Sequence, residues 1–463
     1  MQITVSNNIK VQNPDKAIID YIKSELVLPN PDFYKKQQMG KWTGNTPQNI
    51  WLYEKYGDEY WLPFGCYMDL WKLHHVKEDW SANFGEISPR KYKSNIKLYD
   101  YQNSVVIKAL SAKNGVVVMP CGAGKTQCGL EIISRVKGRA LWLTHTQDLL
   151  TQSMNRAKNV LDIDGTFGTI TAGKVNIGTH ITFATVQTMA KLDLTKYRDC
   201  FDIVIVDECH RCAGSPTKVT QFYKVVSNLN ARYKLGLTAT PYRADGLEKS
   251  MFALLGGIIH EVDKSAVKDI TCSIQVRKIQ TGYTPDYDCV LMADGTLNYN
   301  AIVDDLVNNQ NRFDLVLSEI LKVTYGLPIM VLANRVEYLQ RLCKEYNDKQ
   351  IGQAVCLSGM GQSKKAKEER KQALTALNNG ELDCIFATYQ LAKEGLDVPN
   401  LRYLFLATPE KDKTTITQSI GRVGRKAENK DYGIVVDFID DFGMYKGWAK
   451  KREGYYKKIN CEV

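Results

Sequence analysis

The sequence predicts an α/β protein with two parallel sheets in series, each covered by helices on both faces. From about Gly115 onward, short runs rich in β-branched residues alternate with helix-length segments. The same alternation returns after a weakly periodic stretch from Ile274 to Asn311. The runs are continuously apolar, which is typical of strands buried on both faces of a sheet. The first 90 residues differ in composition, and we expect them to form a small, aromatic-rich N-terminal domain.

Composition narrows the class of protein before any motif is considered. The 463 residues are 44% hydrophobic and 24% charged, as in ordinary globular proteins. The net charge of +10 favours a polyanionic partner, because lysines and arginines that displace counterions gain affinity for phosphate backbones. The start lacks the pattern of a signal peptide, and no window of about 18 apolar residues predicts a membrane span. We therefore expect a cytoplasmic protein with no membrane partner.

The strand pattern fixes the expected domain organisation. The predicted strands are Val116–Met119, Ala140–Thr144, Ile181–Thr185, Phe201–Asp207 and Lys234–Thr240 in the first sheet, and Pro328–Asn334, Ala354–Gly359, Leu382–Thr388, Arg402–Thr408 and Tyr432–Phe438 in the second. We assign residues 91–273 and 274–445 to the two α/β domains. Between the sheets, Asp294 and Gly295 favour a tight hairpin turn, with a surface loop as the alternative.

The two ends of the chain fall outside this pattern. Residues 1–90 hold five of the seven tryptophans, at Trp42, Trp51, Trp61, Trp71 and Trp80. Dense aromatics are more often core than ligand platform, but exposed rings can stack on bases for about 1–3 kcal/mol each, so we predict an accessory domain that binds DNA. Residues 446–463 form a basic C-terminal tail, either a solvated helix or one that contacts a nucleic-acid backbone.

The stretch VVVMPCGAGKT, from Val116 to Thr126, has the features of a phosphate-binding loop. A strand leads into a glycine-rich turn and then a helix, whose N–H groups and dipole face a phosphate. Met119 replaces the first glycine of the full pattern, but that position is the strand end. The predicted ATP contacts are Pro120, Cys121, Gly122, Ala123, Gly124, Lys125 and Thr126, with Lys125 on the terminal phosphates and Thr126 on Mg²⁺.

Two further motifs supply candidate catalytic groups. FDIVIVDECH delivers Asp207 and Glu208 at the carboxyl end of a strand, where Asp207 can hold Mg²⁺ and Glu208 can orient and deprotonate water. In the second domain, QSIGRVGR carries Gln418, Arg422 and Arg425. An arginine that reaches the γ-phosphate across a cleft accelerates hydrolysis by about 10³ to 10⁵.

Cys209 and Cys212 form the one C-x-x-C pair, and without a second pair we predict reduced thiols and no structural zinc.

Together these motifs resemble those of superfamily 2 helicases. PCGAGKT, DECH, TATP (Thr238 to Pro241), ATYQLAKEGLDVP and QSIGRVGR occur in that family's order and spacing, and LYDYQ, THTQDLLTQ and TVQTM are similar to its remaining motifs. The resemblance covers Leu98 to Asp440 and implies two tandem RecA-like P-loop NTPase domains that use ATP and Mg²⁺.

The resemblance also implies roles for individual residues. Gln102 would read adenine, and His210, Thr238 and Thr240 would couple hydrolysis to domain movement. Gly395 and Asp397 would connect the nucleotide cleft with the bound strand. Thr185, Gln187 and Thr388 would contact the phosphate backbone of the nucleic acid, so binding would be independent of base sequence.

DECH, TATP and QSIGRVGR differ from the corresponding motifs of DEAD-box RNA helicases. The sequence looks most like phage branch-migration helicases and type III restriction subunits, which implies a DNA helicase or translocase on forked or branched DNA in replication, recombination or repair, in a bacterial or phage-infected cell. The alternatives are an RNA helicase, a duplex DNA translocase that does not separate strands, and a scaffold that has lost hydrolysis.

Overall fold

Two units, Met1–Asp263 and Lys264–Val463, make up the computed structural model of the chain. The structure describes residues 1–463 except 74–79, 83, 121, 213–219, 243–245, 264, 268–271, 293–294, 324–325, 350–351, 362, 394–395, 397, 428–429, 460 and 463. The predicted site residues Cys121, Gly395 and Asp397 and the predicted turn residue Asp294 therefore lie outside the described residues. None of the described helices is both long and apolar enough to cross a bilayer.

The first unit begins with a small sheet that has its own core. Its elements are β1 (Gln2–Val5), β2 (Asn8–Gln12), α1 (Lys16–Glu25), β3 (Val27–Pro29), α2 (Pro31–Gln38), β4 (Asn49–Trp51), β5 (Glu54–Tyr56), β6 (Glu59–Pro63), α3 (Tyr67–Leu73) and β7 (Trp80–Ala82). The strand order is β5-β6-β2-β1-β7, antiparallel except for β1 with β7. Alternate residues of β1 and β2 are buried together with Ile18 and Ile22 of α1, as expected for a sheet with one covered face.

The aromatic residues of this small domain divide between core and surface. Phe64 is buried, whereas the Trp42 side chain is 85% exposed and Trp51 and Trp71 also reach the surface. Trp61 is half-buried, and the Lys10 ammonium lies 4.0 Å from the centre of its ring. The described aromatic side chains of this domain are therefore divided between its core and its surface.

A large parallel sheet forms the rest of the first unit. Its elements are β8 (Tyr92–Ser94), α4 (Asp100–Ala112), β9 (Asn114–Val118), α5 (Lys125–Val136), β10 (Ala140–Thr144), α6 (Gln147–Val160), β11 (Leu161–Ile163), β12 (Phe167–Thr171), β13 (Lys174–Asn176), β14 (Ile181–Thr185), α7 (Val186–Met189), β15 (Ile203–Asp207), α8 (Gln221–Asn228), β16 (Tyr233–Thr238), α9 (Glu248–Leu255) and β17 (Ile258–Glu261). The order is β13-β12-β14-β10-β15-β16-β9-β17, and only β13 is antiparallel to its neighbour.

A second parallel sheet, with order β18-β23-β22-β19-β21-β20, forms the other unit. Its elements are β18 (Ser273–Gln280), α10 (Tyr287–Val290), α11 (Tyr299–Asn308), α12 (Gln310–Leu321), β19 (Ile329–Ala333), α13 (Val336–Asp348), β20 (Ala354–Cys356), α14 (Lys364–Asn379), β21 (Cys384–Thr388), α15 (Tyr389–Lys393), β22 (Tyr403–Leu406), α16 (Lys413–Val423), β23 (Tyr432–Ile439) and α17 (Gly443–Lys458). The predicted α/β class with parallel sheets is confirmed.

Two segments of the second unit differ from what their composition predicts. β18 lies in the stretch predicted as a connection; it is an edge strand with mostly exposed residues, so it lacks the apolar run that marks the central strands. The predicted basic tail is largely the helix α17, which buries Tyr445, Trp448 and Tyr456. Arg452 in this helix is also buried and pairs with Asp437 of β23 at 2.8 Å. Part of the positive charge of the tail therefore forms an ion pair inside the second unit.

The segment between β18 and α11 makes a turn where the sequence favours a hairpin. Leu291 and Leu297 form an isolated antiparallel bridge, and the Met292 N–H donates to the Thr296 carbonyl at 2.8 Å. Gly295 has φ of +75°, a conformation that glycine adopts without strain.

Candidate active site

The turn between β9 and α5 has the shape of a phosphate cradle. Gly122 and Gly124 have φ of +82° and +83°, and Gly124 is the N-cap of α5. These left-handed conformations let successive N–H groups face one direction at the helix start. Met119 is buried and its N–H pairs with the Thr238 carbonyl of β16 at 2.9 Å, so it belongs to the strand end and not to the turn.

Gln102 packs against the back of this turn. It is buried, and its Nε2 donates to the Ala123 carbonyl at 3.0 Å while its Oε1 accepts from the Tyr99 N–H at 3.0 Å. A Cβ added to Gly124 would lie 2.3 Å from that Nε2 atom and would displace the Gln102 amide, and the φ of +83° also favours glycine there. The Tyr101 hydroxyl, which the sequence analysis did not single out, also donates to the Ala123 carbonyl at 3.0 Å. Its position next to Gln102 in LYDYQ is the sequence feature that could have indicated this contact with the turn.

The acidic pair lies at the carboxyl end of β15, next to the strand β16 that adjoins β9. Asp207 is buried, and its carboxylate accepts from the Glu208 N–H at 3.0 Å. Burial, together with the charge of Glu208, raises the pKa of Asp207 to about 7. Burial also opposes ionisation of Glu208, but the Lys125 ammonium and the hydrogen bond from His210 outweigh it and lower the pKa of Glu208 to about 2. The site therefore holds Glu208 ionised.

The donor set fits a nucleotide with a divalent cation. Lys125 and Thr126 are half-buried at the start of α5, beside the glycine cradle. A cation near Asp207 would remove the cost of ionising this buried carboxyl, and carboxylate and hydroxyl oxygens are ligands that Mg²⁺ prefers. Among the described residues, no three His, Cys, Asp or Glu side chains gather into a metal-binding group of their own. Phosphate oxygens and water would have to complete the cation's coordination shell.

A chain of close polar contacts runs from Glu208 to the end of the neighbouring strand β16. Glu208 has φ of +50°, which turns the chain sharply after β15 into the short 3₁₀ helix Cys209–Arg211. His210 Nδ1 lies 3.2 Å from Glu208 Oε2 and 3.1 Å from Thr238 Oγ1. Thr238 Oγ1 in turn accepts from the Thr240 N–H at 3.2 Å. Polar contacts thus lead from the Glu208 carboxylate through His210 to the segment that follows β16.

The predicted nucleic-acid contacts of the first unit lie two strands away from this pair. Thr185, at the end of β14, is buried, and its hydroxyl contacts that of Thr188 at 3.0 Å. Gln187 is exposed, and its Nε2 donates to the His145 carbonyl at 2.6 Å. Of the two, only Gln187 presents its side chain to the surface in this structure.

His145 follows β10 and was not singled out from the sequence. Both ring nitrogens are buried and have no hydrogen-bond partner within the described part of the chain. Burial and the charge of Arg211 lower the pKa of His145 to about 4, so the ring is neutral. Its place directly after an apolar parallel strand, as with Asp207, was the signal that sequence analysis could have used.

The predicted residues of the second unit also lie after parallel strands. Thr388 ends β21, where its N–H donates to Ser358 Oγ at 2.8 Å, and Gln418 is half-buried on α16, which follows β22. Arg422, predicted as a finger toward the γ-phosphate, is buried and donates to the carbonyls of Ala392 and Leu396.

The two arginines of QSIGRVGR differ in burial. The guanidinium of Arg422 is buried and bonded to the Ala392 and Leu396 carbonyls in this structure. Arg425 is half-buried and lies just beyond the end of α16.

Comparisons with known proteins agree with this arrangement. Residues 95–243 match the family model "Type III restriction enzyme, res subunit", and residues 311–427 match "Helicase conserved C-terminal domain". The ATP-dependent RNA helicase L396 of Acanthamoeba polyphaga mimivirus is 28% identical over 365 residues, which span 75% of this chain and 64% of that protein. The DNA 3'-5' translocase XPB2 of Sulfurisphaera tokodaii is 28% identical over 379 residues, 73% of this chain and 81% of that one.

A solved structure shows the same fold. S. cerevisiae Dbp5 bound to RNA and ADP BeF3 superimposes with a TM-score of 0.56 at 16% identity, over 79% of this chain and 89% of that one. The two family models together cover more than half of the chain and contain the cradle, the acidic pair and the QSIGRVGR helix. The chain belongs to the superfamily 2 helicases, with a res-subunit-type first domain and a helicase C-terminal second domain.

Proposed function

We propose that the protein is an ATP-dependent DNA helicase or translocase that unwinds or branch-migrates forked or branched DNA in replication, recombination or repair. The observation that carries the proposal is the continuous contact from Glu208 through His210 to Thr238. This network joins the carboxylate placed to activate water to a strand end on the neighbouring β16.

The first domain supplies most of the proposed chemistry. Lys125 and the N–H groups of the turn bind the phosphates of ATP, and Thr126 and Asp207 hold Mg²⁺. Bound ATP would supply the γ-phosphoryl group, and bound Mg²⁺ would neutralise the charge that develops on it. Glu208, kept ionised by Lys125 and His210, accepts a proton from the attacking water.

The second domain contributes Gln418 and Arg425, which we propose complete the site when the two domains close on the nucleotide. Closing and opening would change the spacing between backbone contacts such as Gln187 and Thr388 and so move the strand. Contacts of this kind are sequence-independent and strongly weakened by salt.

DNA is favoured over RNA by three observations. The model matched by residues 95–243 is named for a restriction enzyme subunit, and one relative is named a DNA translocase. The motifs DECH and TATP also depart from the DEAD-box pattern. Because another relative is named an RNA helicase, RNA unwinding is the second candidate function.

One experiment separates these functions. ATP hydrolysis and unwinding are measured on single-stranded, duplex, forked and four-way DNA and on the RNA counterparts, with Lys125→Ala as the inactive control. We expect the largest stimulation by branched DNA and none in the control. Greater stimulation by RNA would establish the second candidate, and equal hydrolysis with and without any nucleic acid would contradict both.

We further propose that residues 1–90 bind DNA through exposed rings. Trp42 is 85% exposed, and a stacked base is worth about 1–3 kcal/mol. Trp42→Ala should therefore weaken binding to forked DNA about 5- to 150-fold. Trp61→Ala is not a suitable control because that ring contacts Lys10; Met39→Ala, also exposed, is the matched control. Unchanged affinity in the Trp42 variant would show that this ring is not a contact.

A further inference from the structure

His145 lies between Gln187, the proposed nucleic-acid contact, and Glu208, the proposed catalytic carboxylate. In the sheet, β10 lies directly between β14 and β15. Because all three strands are parallel, the segments after them meet at one edge. The segment after β14 carries Gln187, the one after β15 carries Glu208, and the one after β10 begins with His145.

The main-chain carbonyl of His145 contacts Gln187, and its ring lies on the side of Glu208. Its carbonyl accepts from Gln187 Nε2 at 2.6 Å. Its imidazole lies within electrostatic range of Glu208, His210 and Arg211, which all belong to the turn after β15. One residue thus contacts the exposed Gln187 side chain on one side and the environment of the catalytic carboxylate on the other.

The ring is also in an unfavourable state that a new hydrogen bond would relieve. A buried donor or acceptor without a partner is destabilised relative to one that is hydrogen-bonded, and neither His145 nitrogen has a partner among the residues that the structure describes. A ring that lacks fixed partners has no bond to break before it makes a new one. The charges that act on the ring, those of Arg211 and Glu208, belong to the turn after β15.

We propose that His145 is a positioning residue that makes ATP hydrolysis depend on bound nucleic acid. When a backbone phosphate takes the Gln187 amide, that amide leaves the His145 carbonyl, and the segment after β10 shifts so that the imidazole hydrogen-bonds the Glu208 carboxylate. Glu208 is then oriented toward water only while a strand is bound. The inference rests on the proposed function, because it needs a nucleic-acid-stimulated ATPase.

The test compares stimulation of ATP hydrolysis in His145→Ala with the wild type. The kcat is measured with and without saturating oligo(dT) and oligo(U), together with the KM for ATP and the Kd for each oligonucleotide. Coupling between two sites commonly amounts to roughly 5- to 150-fold, and we expect the stimulation ratio to fall about tenfold while KM and Kd stay within about twofold. His145→Gln, which keeps a side-chain amide, should recover part of the ratio.

His260→Ala is the matched control, since His260 contacts Lys108 in another part of the first unit and should leave the ratio unchanged. A His145→Ala ratio within about twofold of the wild type would overturn the inference, as would a loss explained by failure to bind the oligonucleotide. A wild-type enzyme that neither these oligonucleotides nor forked DNA stimulates would instead refute the proposed function.

A measurement on the unaltered protein covers the case in which the variants do not fold. With isotope-labelled histidine, the six histidines give few imidazole signals. Addition of oligo(dT) without nucleotide should shift the His145 signal. An unchanged His145 signal at saturation would overturn the proposed movement.

Discussion

Lys234→Met should stabilise the protein in a way that depends on pH. Lys234 is fully buried at the amino-terminal end of β16, where its ammonium lies 4.5 Å from the Phe64 ring and donates to the Asn7 carbonyl at 3.3 Å. Burial, followed by the charge of Arg198, lowers the pKa of Lys234 from 10.5 to about 7. The native state therefore disfavours the charged form that the unfolded chain retains.

The size of the effect follows from this shift. A lowering from 10.5 to about 7 corresponds to roughly 5 kcal/mol of native-state cost below pH 7, at about 1.4 kcal/mol per pKa unit. Methionine removes that cost but loses the hydrogen bond to the Asn7 carbonyl, worth about 1 kcal/mol. We expect a net gain of at most about 4 kcal/mol at pH 6.

The sign of the pH dependence provides the sharper test. Between pH 7 and 10.5 the unfolded chain binds the proton that the native lysine has released, so wild-type stability rises with pH. The advantage of Lys234→Met should then shrink by about 1.4 kcal/mol per pH unit, to about 1 kcal/mol at pH 9. Thermal and urea unfolding of both proteins at pH 6, 7.5 and 9 measures the gap. A destabilised variant, or a gap that does not change with pH, would refute the reasoning.

Three further substitutions have expected outcomes. Glu208→Gln should lower kcat for ATP about 10²- to 10⁴-fold while ATP still binds, because the general base is lost; equal losses in affinity would contradict that role. Gly65→Ala should cost about 1–3 kcal/mol in unfolding experiments, since its Cβ would lie 2.3 Å from the Gly256 nitrogen. Arg452→Met should cost about 3–5 kcal/mol by leaving the buried Asp437 carboxylate without its cation, although the Tyr456 hydroxyl still donates to it; a stability close to wild type would contradict this reasoning.

The central strands could be predicted because a strand that is buried on both faces has a continuously apolar sequence. ALWLT and ITFAT are the strands Ala140–Thr144 and Ile181–Thr185 to the residue. Edge strands carry no continuous apolar run: most residues of β18 are exposed, and its sequence predicts a connection. The packing of α17 could not be predicted either, because the sequence does not show that Arg452 is buried beside Asp437 and not exposed at the surface.

The candidate site shows the same division between local and non-local information. The glycine cradle and the acidic pair could be located because each is a strand followed at once by its functional residues. The engagement of Arg422 by the Ala392 carbonyl joins residues 30 apart in the chain, and no local pattern in QSIGRVGR distinguishes it from Arg425. His145 was missed because it belongs to no pattern of charge, and only the strand order β14-β10-β15 reveals its neighbours.

The small N-terminal sheet is joined to the large sheet of the first unit at Lys234 and Gly256, beside the first residues of β16 and β9. The cradle and the acidic pair lie past the last residues of β9 and β15. A five-residue strand is about 17 Å long, so the N-terminal sheet and the cradle lie at opposite edges of the large sheet. A change in the N-terminal sheet that still covers Lys234 should therefore leave the geometry of the cradle and the acidic pair unaltered.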